Sequence, residues 1–398
     1  MKLKKKHIVL ISIGLVIALG LTVLLISNRP LTKQEATAAI EKALEKEVTG
    51  NDEITSALMT IHSDKTGFHQ SFALGKTGEA LTEPVDTGMR FHSASIGKTF
   101  TATIYGMLRD ERSIDYDDKI TDYLGEDVLE GLFVVDGVDY REEVTLKQLL
   151  NHTSGAGDYY EDPVREGHTL QELMLLKPDK LWTPMELIDF TRHRQQAVGK
   201  PGETFHYSDT GYILLGLILE SIEGKEFHEI LHERILDPLN MEDSCLMFKS
   251  KAAVQPDRPI LEAWLQGHDI STYNSLSIDW SGGGIVTTTD DLLTFFRAFH
   301  DGHLVSPDTM EIMKTFDHQY AEGIYYGLGM MSFQFEELSF LLQGMPPVYG
   351  GVGDTGCFML YDSLNDTYYI ANFGSIGYTE KSIMALINVM NIYGRIQE

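Results

Sequence analysis

A mixed α/β (α+β) fold, with an antiparallel sheet assembled from both chain ends and a helical lobe inserted between them, is what this sequence predicts. Three observations carry that reading. Two apolar runs near the start, "ITSALMTIH" and "FHQSFALG", are joined by the turn-like "SDKTG". A second pair, inside "GCFMLYDSLNDTYYIANFG", brackets an Asn-Asp turn near the end. Between them, from about 95 to 300, the apolar period is mostly helical and is punctuated at Pro201-Gly202, Gly224 and Pro238. Strands at both ends around a helical middle most simply form one sheet carrying an inserted lobe.

Taken in order, the chain opens with "MKLKKK", which carries four lysines, followed by the uncharged nineteen-residue run Ile8–Ile26. That length is about enough to span a bilayer as a helix, and the lysines are expected to stay cytoplasmic. "SNRPLTK" offers no small-x-small cleavage site, so an uncleaved anchor over residues 1–30 is expected, with the rest of the chain outside the cell. "LTKQEATAAIEKALEKEV" reads as an amphipathic helix over 31–50. Its capping box is Thr32 with Glu35, and Ala36, Ala39, Ile40, Ala43 and Leu44 share a face. Residues 51–398 form the remaining domain, with the helical lobe at about 100–280. "EKSIMALINVMNIYG" reads as a closing helix.

The 398 residues, 43% of them hydrophobic, suffice for a large core. A net charge of -27 argues against nucleic acid as a partner and against docking on anionic lipid. Two cysteines, Cys245 and Cys357, do not make a disulfide scaffold, and their pairing is not legible.

"FHSASIGKTF" (Phe91 to Phe100) admits two chemistries. Gly97-Lys98-Thr99 resembles the end of a phosphate-binding loop, but that motif needs glycine where His92 stands. The other reading pairs Ser95 with Lys98, one helical turn apart and on the same face. A serine hydroxyl needs a base beside it to act as a nucleophile, and a lysine can serve. A backbone N–H at the start of a helix can face a developing oxyanion. Taken alone, Ser95 could equally be an N-cap beside an exposed lysine.

Further blocks follow in order: "LLNHTSG", "PGETFHYSDTGYILLGLILESIEGK", "DPLNMEDS" and "SGGGIVTTTDDLLTF". Together with "SASIGKTF" they resemble the superfamily of penicillin-binding proteins and class C β-lactamases, serine hydrolases that include carboxypeptidase-like and esterase-like members. The resemblance covers roughly residues 50 to 390. It implies a serine hydrolase that forms an acyl-enzyme on Ser95, which the anchor expected at 1–30 would hold on the outside of a bacterial membrane. Lys98 would be its proton partner and Tyr207, in Tyr207-Ser208-Asp209, a second acid/base held as phenolate near the lysine. The substrate would be a small molecule or cell-wall peptide, and no cofactor is implied. Asp209 departs from the family's asparagine: an ionised carboxylate only accepts hydrogen bonds, though it can still bind Lys98. In the third motif Gly351-Val352-Gly353 aligns with Lys/His-x-Gly, so Gly351 stands where a cation is usual. The backbone N–H of Asp354 would complete an oxyanion hole with that of Ser95. These departures imply ester or D-amino-acid peptide substrates and weak action on penicillins. His152 reads as a structural histidine, and Gly282-Gly283-Gly284 as a strand passing close to the site.

Two rival functions stand beside this one. "HEILH" (His228 to His232) matches the zinc-protease helix motif, with Glu229 as base, but no third ligand follows at a suitable spacing. A catalytically weakened binding protein of the same fold is the other, supported by Gly351 and opposed by intact Ser95, Lys98 and Tyr207.

Overall fold

Both hairpins form where the alternating apolar runs and turn residues placed them. The structure is a computed structural model and describes residues 29–255 and 257–397. The Ile8–Ile26 run lies outside the described residues. Among the described residues no helix is long and apolar enough to cross a membrane.

Helix α1 (Lys33–Gly50) starts at a complete capping box between Thr32 and Glu35 and buries Ala36, Ile40 and Leu44. Strands β1 (Ser56–Ser63) and β2 (Phe68–Thr77) form the first hairpin, and β3 (Glu83–Pro84) pairs onto β2. The C-terminal half adds β4 (His318–Ala321), β5 (Ile324–Tyr326), β6 (Met331–Phe333), β7 (Val348–Gly353), β8 (Cys357–Asp362) and β9 (Thr367–Asn372). They make one nine-stranded sheet in the order β4-β5-β6-β7-β8-β9-β1-β2-β3. Every pairing is antiparallel. The two chain ends meet inside it, where Leu58 lies opposite Asn372 and Ile61 opposite Tyr369.

The rest of the chain between β3 and β4 includes three long helices: α2 (Gly97–Asp110), α3 (Asp209–Glu223) and α4 (Thr289–His300). Helix α5 (Thr379–Tyr393) closes the chain and packs beside α1 on one sheet face, over Met59, Phe358, Leu360 and Ala371. Helix α4 covers the other face and stacks Phe295 on Phe100 of α2 with ring centroids 3.8 Å apart. Each fully buried side chain of this kind contributes about 1.5–3 kcal/mol. A small three-stranded sheet, with Ile285–Thr287 between Phe91–His92 and Cys245–Leu246, leads the chain into α2. The Ser95–Lys98 segment therefore enters at the seam between the sheet and the helical lobe.

Candidate active site

Ser95 lies in a single 3-10 turn, Ala94–Ile96, that runs directly into α2. Ala94 has φ +45°, a left-handed value that L side chains seldom take. The turn is held from both sides by close backbone approach. A Cβ on Gly283 would lie 2.7 Å from the Ala94 carbonyl oxygen, and one on Gly353 would lie 2.7 Å from the Ser93 carbonyl oxygen. Neither position has room for a side chain. Sequence reading expected a strand at Gly282-Gly283-Gly284; instead Trp280–Gly283 is a helical turn, and the strand begins at Ile285. The close approach is real, but it is made by the helical turn.

Lys98 is 1% exposed. Its Nζ donates to Ser95 Oγ at 3.0 Å, to the Gly282 carbonyl at 3.2 Å and to Asp209 Oδ1, with which it forms an ion pair. Three ammonium protons meet three acceptors, which makes so deep a burial tolerable. Asp209 is the first residue of α3, set by the N-cap Ser208. Its N–H donates to Asp158 Oδ1 at 2.9 Å. Burial, reinforced by the charge of Asp209, pushes the Asp158 carboxyl well above the ordinary range.

Tyr207 sits with its ring centroid 5.1 Å from Lys98 Nζ and 4.2 Å from the His152 ring. The expected phenolate is corrected here. Burial, and then the charge of Asp209, raise the Tyr207 hydroxyl well above its usual 10, against a smaller opposing pull from Ser95. Because Asp209 neutralises Lys98, no free cation is left to hold a phenolate, and Tyr207 is a neutral phenol that can donate. His152 is buried beside Tyr207, with its Nε2 lacking a hydrogen-bond partner among the described residues. Its Nδ1 accepts from Ser208 N–H at 3.1 Å, and burial drives its pKa well below the usual range, so it stays neutral.

Gly351 and Gly353 turn towards α2, while Val352 faces the opposite side of β7. A Cβ on Gly351 would come within 2.8 Å of Thr99 Oγ1 and 3.3 Å of Ile96 Cα. The position aligned with the family's cation is thus packed against the nucleophile's helix. Asp354 follows at the strand end. Among the described residues neither its N–H nor that of Ser95 has an acceptor, as an oxyanion hole requires. The Asp354 carboxylate accepts from Gly377 N–H at 3.1 Å and from Tyr160 O–H at 3.4 Å, and burial raises its pKa.

Ser95, Tyr207, Asp209, Gly353 and Asp354 open onto one cavity of about 620 Å³, together with Tyr160 and Glu161. Lys98 lies beneath it and Gly351 behind it. The sequence reading missed Asp158, Tyr160 and Glu161. The only signal for them was their position directly after "NHTSG". None of the described residues lining the cavity is Lys, Arg or His, whereas Glu161, Asp209, Asp354 and Glu380 are acidic.

The "HEILH" residues lie away from this cavity. They span a five-residue helix, Phe227–Leu231, and the start of a π-helical turn, His232–Leu236. Glu229 caps the helix by accepting from Glu226 N–H at 3.0 Å. His232 is hydrogen-bonded to Asp237 at 3.0 Å and to Ser250 at 3.1 Å. Among the described residues no group of three or more His, Cys, Asp or Glu is arranged to hold a metal ion. Cys245 and Cys357 are both buried and unpaired.

A serine in the turn ahead of a helix, a buried lysine one turn on, a tyrosine just ahead of a second helix, and unpartnered N–H groups on Ser95 and, at a strand end, on Asp354 meet around one cavity. The family described as Beta-lactamase matches residues 40–376, and the chain belongs to that family. It is 24% identical over 259 residues to Penicillin-binding protein 4* of Bacillus subtilis (strain 168), covering 61% of this chain and 52% of that protein. It is 31% identical over 172 residues to Penicillin-binding protein 4 of Amycolatopsis lactamdurans, covering 42% and 38%. These matches span about half or less of the two relatives' length. Among solved structures, the D-stereospecific amidohydrolase from Streptomyces sp. superposes with a TM-score of 0.71 at 26% identity, covering 87% of this chain and 97% of that one.

Proposed function

We propose that this chain is a serine hydrolase that forms an acyl-enzyme on Ser95 and acts on esters or D-amino-acid amides and peptides lacking a free carboxylate near the scissile bond. The observation that carries the substrate preference is the acidic, cation-free lining of the cavity around Ser95. A carboxylated substrate such as a penicillin would find no partner there and would face Glu161 and Asp354.

In this reading Ser95 Oγ attacks the substrate carbonyl. Its proton passes to Lys98 as Lys98 passes one to Asp209, so the ion pair takes up one proton and carries a net positive charge beside the developing oxyanion. The N–H groups of Ser95 and Asp354 take the charge that develops on the carbonyl oxygen. Tyr207, held as a phenol, donates its proton to the leaving group and recovers one from the Lys98–Asp209 pair. Water then attacks the ester on Ser95 by the reverse path. The Streptomyces amidohydrolase, similar over nearly its whole length, supports D-configured amides as one substrate class. An outward-facing location behind the Ile8–Ile26 segment belongs to the same proposal and is supported by the sequence alone.

The test is a rate comparison on the purified protein. p-Nitrophenyl butyrate and D-phenylalanine amide should be hydrolysed faster than benzylpenicillin. A faster rate on benzylpenicillin would overturn the substrate reading.

A further inference from the structure

The cavity that holds Ser95 is far larger than the catalytic residues need, and its other end is chemically different. It continues past Gly353 and Asp354 to the opposite face of the sheet, where Ile324, Met331, Phe333 and Val352 form one wall. The facing wall is α5, from Thr379 through Ile383 to Ile387. Leu338 and Leu341 stand at the rim, and Leu341 is 77% exposed. The nine residues from Thr379 to Ile387 span roughly 12 Å of helical wall.

We propose that this arm binds an extended alkyl chain of the substrate, so that Ser95 acts on medium- to long-chain acyl esters or amides. The proposal rests on the reading of Ser95 as the acylated nucleophile. Three observations carry it. The arm is continuous with Ser95, so its occupant is joined to the scissile carbonyl. Beyond Ser339, Thr379 and Glu380, its side walls are aliphatic or thioether apart from the buried Phe333, and a chain without polar groups suits that stretch. Its length along α5 suits an extended chain better than a single ring. The β7 register supplies the branch point: Gly353 faces the Ser95 turn and its neighbour Val352 faces the arm. A carbonyl held at the Asp354 N–H can therefore send one substituent round the strand end into the apolar arm.

The experiment is a chain-length series of p-nitrophenyl acetate, butyrate, octanoate and decanoate, kept below their aggregation concentrations. Each buried methylene adds up to about fourfold in kcat/KM. The rate should rise at least tenfold from butyrate to octanoate, by that same scale. Met384→Trp, at an exposed site on the arm's α5 wall, should cut decanoate hydrolysis at least fivefold while butyrate stays within about twofold, on that scale too. A profile that is flat or falls with length, with butyrate still hydrolysed through Ser95, overturns the alkyl arm and leaves the hydrolase reading intact. Preference for a D-phenylalanine ester over decanoate assigns the arm to an aromatic group and also overturns it. Hydrolysis of D-phenylalanine amide alone overturns the alkyl arm, and hydrolysis of neither that amide nor any ester defeats the reading of Ser95 itself.

Discussion

At the scale of the residue, Asp209 decides how protons are distributed in the site. It pairs with Lys98 and, after burial, is the largest influence holding Tyr207 as a phenol. Asp209→Asn removes a negative charge beside Tyr207, so the hydroxyl's pKa falls towards 10. The alkaline limb of the kcat/KM profile should move to lower pH, and a pH series on one neutral ester measures it. An unchanged limb would remove Tyr207 from the proton path. Ser95, Lys98 and Tyr207 were legible in the sequence because ordered blocks along the chain settled what the local Ser-Lys spacing alone left open. Asp158, Tyr160 and Glu161 were not, because a loop outside any period acquires its role only when the fold lays it against α3. The protonation state of Tyr207 was misread for a related reason. It depends on burial and on charge balance, and neither is written in a three-residue motif.

At the scale of the element, the contact between β7 and α2 sets what the third motif can be. Gly351 is in van der Waals contact with Thr99, so Gly351→Ala should cost about 1–3 kcal/mol through overpacking. Combining it with Thr99→Ala should cost less than the sum of the two single changes, although Thr99→Ala also loses the 2.7 Å bond from Thr99 Oγ1 to the Gly329 carbonyl. Denaturant melts of all four forms measure the coupling, and strict additivity would contradict the contact. The helical turn Trp280–Gly283 makes a second case. Asp279, its N-cap, has its carboxyl pushed up from 3.8 to about 7, first by burial and then by Asp209. The nearest histidine, His92 at 3.4 Å, is held near 4 by burial and stays neutral. A carboxyl raised on folding contributes stability that is complete below pH 3.8 and is lost as pH rises through 7. Asp279→Asn should therefore raise Tm more at pH 8 than at pH 5. An equal change at both pH values would show that Asp279 is not perturbed. The long helices and both hairpins were legible because caps, turn residues and period agreed. The strands His318–Ala321, Ile324–Tyr326 and Met331–Phe333 were not read, since three or four residues carry too little alternation.

At the scale of the whole molecule, the site exists only because distant parts of the chain converge. Ser95 and Lys98 come from the turn into α2 and its first residues, Tyr207 and Asp209 from the entry to α3, and Gly353 and Asp354 from the end of β7. The sheet that brings them together is closed by β1 and β9, from opposite chain ends. Assembly of the site therefore depends on the fold, and a chemical readout at Ser95 reports on both. The net charge of -27 adds a long-range bias against anionic substrates to the local one in the cavity. The most direct measurement is intact mass after exposure to a fluorophosphonate, followed by peptide mapping, on the unmodified protein and on Ser95→Ala with an unchanged melting temperature. A single adduct on the Ser95 peptide, absent from the variant, is the predicted result; no adduct, or one that persists on Ser154 or Ser208 in the variant, would contradict the account.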